Sequence, residues 1–305
     1  MDDRFDEPSE AWPFHTGEQQ AQACAQVHGL ASKVRRFVRP YMPDQHREFY
    51  ASLPFMVVAA RDEGERPWVT FVWGTPGFVR SPTPTTLHVD ARPDAADALA
   101  DALVPGVDVG LLGIELATRR RNRINGRIMS GEVGALEVQV GQSFGNCPKY
   151  ITPRTWQAVA RPGSPPSAER HATLDARLTR WIEGADTLFI ASGYAGQRGD
   201  RRTGMDASHR GGEPGFVVVR DERTVVIPDY AGNNFFNTIG NLMVDPRVGL
   251  LFVDFETGSL LQLTGRAAID WATPDAAKYP GAKRLVVVTV DEVVVLPEVL
   301  PMRAD

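Results

Sequence analysis

Short runs of β-branched and aromatic residues, broken at close intervals by Gly, Pro and charged turns, dominate the chain and predict many short strands. A first set covers 53–60, 67–73, 86–89, 107–116 and 123–130, and a second covers 187–191, 215–219, 224–228, 248–255 and 260–269. Two further runs, 285–290 and 292–296, meet at Asp291 and predict a hairpin-like end. Helical spacing is rarer. Thr16 followed by Gln19 reads as a capping box that opens a helix running towards Arg36. Asp44 caps a short helix that ends before Pro54. Leu174, Leu178, Trp181 and Ile182 line one face of a helix closed by Gly184. Phe235, Phe236, Ile239 and Leu242 line another, with Asn233 and Asn234 at its start.

The two strand sets resemble each other. Val109-Gly110-Leu111-Leu112-Gly113-Ile114-Glu115-Leu116 matches Val248-Gly249-Leu250-Leu251-Phe252-Val253-Asp254-Phe255, and the match runs on without a gap to Gly126-Arg127 and Gly265-Arg266. Upstream, Pro76-Gly77-Phe78-Val79 matches Pro214-Gly215-Phe216-Val217, and Phe55–Ala60 resembles Leu188–Gly193. Three matches in one order predict a duplicated fold. Evenly spaced short strands with few helices predict closed or partly closed barrels. The reading divides the chain into a helical segment at 1–52, a first copy at 53–152, a linker and helix at 153–184, and a second copy at 185–305. Arg161-Pro162-Gly163-Ser164-Pro165-Pro166-Ser167 is too rich in Pro and Gly for regular structure.

Composition narrows the class. Apolar residues make up 43% and charged residues 23%, so a sizeable core is affordable, and the net charge of −5 argues against a nucleic-acid surface. The apolar runs are too short to span a bilayer, and the start, Met1 to Glu7, is too acidic for a secretory signal. Two cysteines, Cys24 and Cys147, make neither a disulfide framework nor a four-cysteine metal site. The expectation is a cytoplasmic protein that binds no nucleic acid, no membrane and no metal, and that acts on a small molecule as a monomer or homodimer.

No Walker loop, GxSxG elbow, HExxH or strand-borne GxGxxG is present, so any chemistry belongs to a bound cofactor. Three segments could hold one. In Asp206–Gly215 the run Ser208-His209-Arg210-Gly211 combines a guanidinium suited to phosphate with glycines that allow close approach; a solvated turn would look the same. In Ile227-Pro228-Asp229-Tyr230-Ala231-Gly232-Asn233-Asn234-Phe235-Phe236-Asn237-Thr238 a strand ends and asparagines open a helix, which makes an anion site of its free N–H groups; plain N-capping uses the same residues. Ser143–Tyr150 packs Asn146, Cys147 and Lys149 together, with Cys147 either a ligand-facing thiol or a buried inert one.

Taken together, His209–Gly212 with Pro214–Val217, then Asn233–Asn241, Asp245-Pro246-Arg247 and Gln262–Arg266, resemble the pyridoxamine 5′-phosphate oxidase-like, FMN-binding split-barrel superfamily. Phe144-Gly145-Asn146-Cys147-Pro148-Lys149-Tyr150 resembles a motif of its long, two-copy branch, some of whose members are fused to ferredoxin reductases. The resemblance implies a mainly β fold with a few helices: tandem split β-barrels related by a pseudo-twofold axis, with FMN where barrels meet. It implies phosphate contacts from His209, Arg210 and 229–238, a ring-edge contact from Gln262, and a flavin-dependent oxidoreductase using a donor such as NAD(P)H. FAD, deazaflavin or haem are the alternative cofactors, and a non-catalytic flavin or haem carrier is the alternative function. Asn233-Asn234-Phe235 replaces the Ser-Arg-Lys typical of the vitamin-processing oxidases, which argues against pyridoxamine phosphate as substrate. The first copy has Val69–Gly74 and Ala91–Asp94 where the second has its polar segments, so one complete phosphate site is expected, in the second copy.

Overall fold

A computed structural model describes residues 13–27, 37–130, 134–160, 167–196, 200, 202–271 and 278–304. The strands of the first copy are β1 (Phe55–Arg61), β2 (Pro67–Trp73), β3 (Val79–Thr83), β4 (Thr86–Val89), β5 (Asp108–Glu115), β6 (Arg120–Ser130) and β7 (Leu136–Gly145). After β8 (Trp156–Ala158) and β9 (Glu169–His171) come those of the second: β10 (Thr187–Tyr194), β11 (Gly204–Gly211), β12 (Val218–Asp221), β13 (Thr224–Asp229), β14 (Arg247–Asp254), β15 (Ser259–Asp270) and β16 (Arg284–Leu296). A last strand, β17 (Met302–Ala304), pairs with β8. The helices are α1 (Thr16–Cys24), α2 (Asp44–Ser52), α3 (Ala176–Gly184) and α4 (Asn237–Val244). None is long and apolar enough to cross a membrane, among the described residues.

The two sheets repeat one strand order, β2-β1-β5-β6-β7-β4-β3 and β11-β10-β14-β15-β16-β13-β12, with β9 added to β16. The shared sequence motifs fall at shared places. Pro76-Gly77 and Pro214-Gly215 are the central residues of turns closed by Phe78 N to Thr75 O and Phe216 N to Glu213 O, and both glycines have positive φ, 98° and 89°. Gly126 and Gly265 sit at matching register shifts in β6 and β15, each beside a partner-strand carbonyl that leaves no room for a Cβ. The fold is therefore mainly β, two split β-barrels in tandem.

A pseudo-twofold relation follows from how they meet. β2 packs on β10, β14 and β15, and β11 packs on β1, β5 and β6. At the centre are two equivalent glycines. A Cβ on Gly110 would lie 2.6 Å from Ala207 N, and one on Gly249 would lie 2.7 Å from Pro67 O. Each copy thus receives the other's second strand backbone to backbone. The apolar core of the first barrel continues through this contact into Phe189, Ala191, Met205, Ala207 and Leu251 of the second. The second barrel has its own core around Leu188, Ile190, Ile227, Leu250 and Val286.

Four local expectations are corrected. The first helix is capped by His15 with Glu18, one residue earlier than Thr16 and Gln19, because the His15 side chain accepts from Gly17 N. It ends at Cys24, where Gln26 (φ 58°) turns the chain, and the rest of the expected course to Arg36 lies outside the described residues from 28 on. Residues 161–166 of the expected linker lie outside them too. The 285–296 region is one strand, not a hairpin: Thr264 faces Glu292 and Gly265 faces Val290, so Asp291 is a bulge. Asp206–Gly211 is strand, an edge strand paired with β10, not a loop. Finally, α4 starts at Asn237; Asn233 and Asn234 form an irregular turn before it rather than its cap, with Asn234 and Phe236 both left-handed (φ 63° and 64°).

Candidate functional site

Where the edge strand β11 meets β6 of the other barrel, a cavity of about 390 Å³ opens, a size suited to a small organic ligand. It is walled by the end of β13, the 230–236 turn, the start of α4, and the segment that leaves β7. Ser208, His209, Arg210, Gly211, Pro228, Asp229, Asn233, Asn234, Asn237, Thr238, Asn146 and Lys149 all line it. The structure does not bring Ile227 and Gln262 there. Ile227 points into the second barrel's core. Gln262 is buried at the barrel contact, where its Nε2 donates to Val69 O (3.0 Å) and Asp97 Oδ2 (3.1 Å).

Both barrels build the wall: besides the expected Asn146 and Lys149, the first barrel contributes Arg121 and Arg123, which the sequence reading did not include. Arg121 and Arg123 stand two residues apart on β6 and so share a face. Arg123 is buried with Nη1 3.2 Å from both oxygens of Asp206. Arg121 donates from Nε to Cys147 O (2.9 Å) and from Nη1 to His209 O (3.2 Å). Among the described residues no carboxylate pairs with it. Burial, with Arg123 and Arg210 nearby, lowers its pKa to about 9. Such a cation is poised for an anion.

His209 is neutral: burial first, then the guanidiniums of Arg121, Arg210 and Arg123, hold its pKa well below the usual histidine value. Arg121 Nη1 lies 3.0 Å from its Nδ1, and a guanidinium can only donate, so the imidazole proton sits on Nε2. That Nε2 is buried and has no partner. Three other lining residues carry the same feature: Asn146 Nδ2, Arg123 Nε and Arg284 Nη1 are buried and unpartnered. All four orphans are donors. Buried donors without protein partners are costly, so this set marks a site built to receive an acceptor.

The remaining polar groups hold the wall in shape. Arg210 Nη1 donates to Asp229 Oδ1, and Arg284 Nε lies 3.2 Å from Asp229 Oδ2. Arg284 is sandwiched between the Phe236 and Trp271 rings (4.8 and 4.6 Å). Asn233 accepts from Phe235 N (3.1 Å) and donates to Asn146 Oδ1 (2.8 Å), which ties the turn to the first barrel. Ser208 Oγ and Thr238 Oγ1 are 2.9 Å apart, joining β11 to α4. No side chain caps the first turn of α4, so its N–H groups keep the positive end of the helix available. Near Lys149, Tyr150 and Tyr230 stack at 5.2 Å, and Tyr150 Oη donates to Ala231 O. Arg121, Arg123, Arg210, Arg284, Lys149 and Lys283 thus face the cavity against one lining carboxylate, Asp229.

The first barrel's counterpart of this place supplies its own acceptor. Gln262 stands opposite Leu251 as Arg123 stands opposite Leu112, so the two are equivalent positions. Around Gln262 the acceptor is the protein's own: Asp97 takes hydrogen bonds from Thr70 Oγ1, Leu99 N and Gln262 Nε2. No orphan donor remains among these residues.

No family model and no curated protein matches the chain. Among solved structures it is similar to an FMN-binding protein from Syntrophomonas wolfei, at 9% identity and TM-score 0.28 over 40% of this chain and 84% of that one. It is similar to an FAD-binding protein from Mesorhizobium loti, at 8% identity and TM-score 0.29 over 43% and 98%. It is also similar to a protein from Clostridium acetobutylicum related to general stress protein 26, of the pyridoxinephosphate oxidase family, at 13% identity and TM-score 0.25 over 36% and 78%. Each alignment spans well under half of this chain, and the tandem-barrel description rests on the strand order and register above.

Proposed function

We propose that the cavity holds FMN by its phosphate and that the chain is a flavin-dependent oxidoreductase. The observation that carries the reading is the set of four buried, unpartnered donors, all of one polarity, beside Arg121, which has no carboxylate partner among the described residues. A phosphate dianion offers several strong acceptor oxygens and is matched by guanidiniums and by helix N–H groups. Arg121, His209 Nε2, Asn146 Nδ2 and the start of α4 would hold it, while Asp229 keeps Arg210 and Arg284 oriented. The stacked Tyr150 and Tyr230 supply apolar surface for a planar ring. Bound there, the flavin would supply hydride or electron transfer, and the chain would bind it, orient it and exclude water. The FMN- and FAD-binding descriptions of similar solved proteins agree with this choice of ligand class.

Haem fits less well. A haem iron held by His209 would need the lone pair of its Nε2, and the Arg121 contact at Nδ1 puts the proton on that atom; Cys147 is the other ligand candidate in the wall. The test is reconstitution of flavin-stripped protein with FMN and with riboflavin. FMN should bind at least ~100-fold more tightly, the loss of two strong charged hydrogen bonds. Equal affinities would remove the phosphate from the account. Turnover with NAD(P)H and an acceptor then separates an enzyme from a carrier.

A further inference from the structure

α1 belongs to no repeat, yet it packs on α4 and on the turn before it. It crosses α4 at two glycines: a Cβ on Gly17 would lie 2.2 Å from Gly240 O, and one on Gly240 would lie 2.5 Å from Glu18 Cα. Gln22 Nε2 donates to Phe235 O (3.1 Å), and Ala25 and Val27 line the cavity. At the crossing, Glu18 is buried, with Oε1 accepting from Asn237 Nδ2 and Oε2 from His15 N (2.8 Å). Asn237 is the first residue of α4 and part of the cavity wall.

Among the described residues Glu18 has no unengaged cation beside it. His15 accepts from Gly17 N at Nδ1, so its Nε2 carries the proton and donates to Asn241 Oδ1 (2.7 Å); it is neutral, with its pKa lowered to about 4 by burial. α4 presents Asn237 and Asn241, and the β6 and β7 side presents Asn125 and Gln142, all uncharged. β11 presents Asp206, a like charge already held by Arg123. Arg202 also faces this place, and it is engaged by Asp200. Burial accordingly raises the pKa of Glu18 to about 8.

We propose that Glu18 is a positioning residue: its hydrogen bond to Asn237 sets the start of α4 for the ligand's phosphate, and its negative charge, when it ionises, weakens that binding. The proposal rests on the reading that an anion occupies the cavity. A carboxylate formed behind Asn237 would repel the dianion in front of it. By linkage the bound anion holds the proton on Glu18, so binding near pH 8 takes up protons.

The experiment titrates flavin-stripped protein with FMN, whose phosphate is already dianionic above pH 7. For the natural chain the dissociation constant should rise by about threefold or more between pH 7 and pH 9, the size of a screened charge–charge effect. Glu18→Gln keeps the shape and the hydrogen bond to Asn237 and should show a shallower profile, the remaining slope being the loss of charge on Arg121 towards pH 9. Calorimetry of the natural chain at pH 8, in buffers of different ionisation heat, should show proton uptake. That arm needs no variant, so a Glu18→Gln chain that fails to fold leaves the test intact. Parallel pH profiles in both chains, or binding without proton uptake, would overturn the proposal while leaving the flavin reading in place. Absence of FMN binding at every pH would overturn both.

Discussion

Replacing Arg121 by methionine should separate ligand affinity from stability. In the ligand-free protein its guanidinium has Arg123 and Arg210 as neighbours, lacks a carboxylate partner among the described residues, and donates to three backbone carbonyls and one imidazole. Folding lowers its pKa to about 9, so the unfolded chain binds this proton more tightly. The charge therefore costs stability below pH 9, and the cost fades as pH rises through 9. Methionine fills similar volume without the charge but leaves Cys147 O and His209 O one donor short. These opposing changes should leave the ligand-free thermal midpoint at pH 7.5 within a few degrees, as for an ordinary substitution of about ±1 kcal/mol. Affinity behaves differently. Loss of a hydrogen bond between charged partners costs about 1.5–3 kcal/mol, or roughly 10–150-fold in the FMN dissociation constant. Quenching of flavin fluorescence measures that constant, and riboflavin is the control. Unchanged FMN affinity, or an equal loss for riboflavin, would refute the placement of Arg121 on the phosphate.

Arg210→Ala should weaken FMN binding about tenfold through a lost charge-assisted bond, and Asp229→Asn should weaken it too, because Arg210 and Arg284 lose the carboxylate that orients them; the same titration reads both. Gly249→Ala forces a Cβ against the Pro67 carbonyl, which is backbone and cannot yield, so the thermal midpoint should fall by the equivalent of about 1–3 kcal/mol. Gly184→Ala, with open space around its Cβ, is the matched control and should change little. Asn234→Gly should be tolerated at φ 63°, while Asn234→Val should cost about 1–2 kcal/mol and lower flavin retention, seen as flavin per chain beside the midpoint.

The duplication was legible because barrel contacts constrain sequence tightly: Gly110 and Gly249 admit no Cβ, and the Pro-Gly turns need positive φ. Pro67–Trp73 and Thr86–Val89 are strands over the ranges that their residue types predict. The second-copy half of the wall was legible too, since Ser208–Gly211 and Asn233–Thr238 are dense in polar groups. Arg121 and Arg123 were not, because a linear chain does not say which strand of one barrel receives the edge of the other. Their signal was the alternation Arg121-Asn122-Arg123 within a strand, two guanidiniums on one face. Gln262 was misplaced for a related reason: it occupies the position equivalent to Arg123, and only the three-dimensional arrangement shows that the copies exchange places there. Glu18 was hidden because its importance comes from burial against a segment more than two hundred residues away.

The central claim is that both barrels together enclose one flavin. The most direct measurement is the absorption spectrum of the purified, unreconstituted chain, with mass analysis of the chromophore released by acid. The account predicts flavin bands, the mass of FMN, and one flavin per chain, because Asp97 fills the first barrel's counterpart of the site. A colourless chain that FMN cannot reconstitute, a Soret band, or two flavins per chain would contradict it.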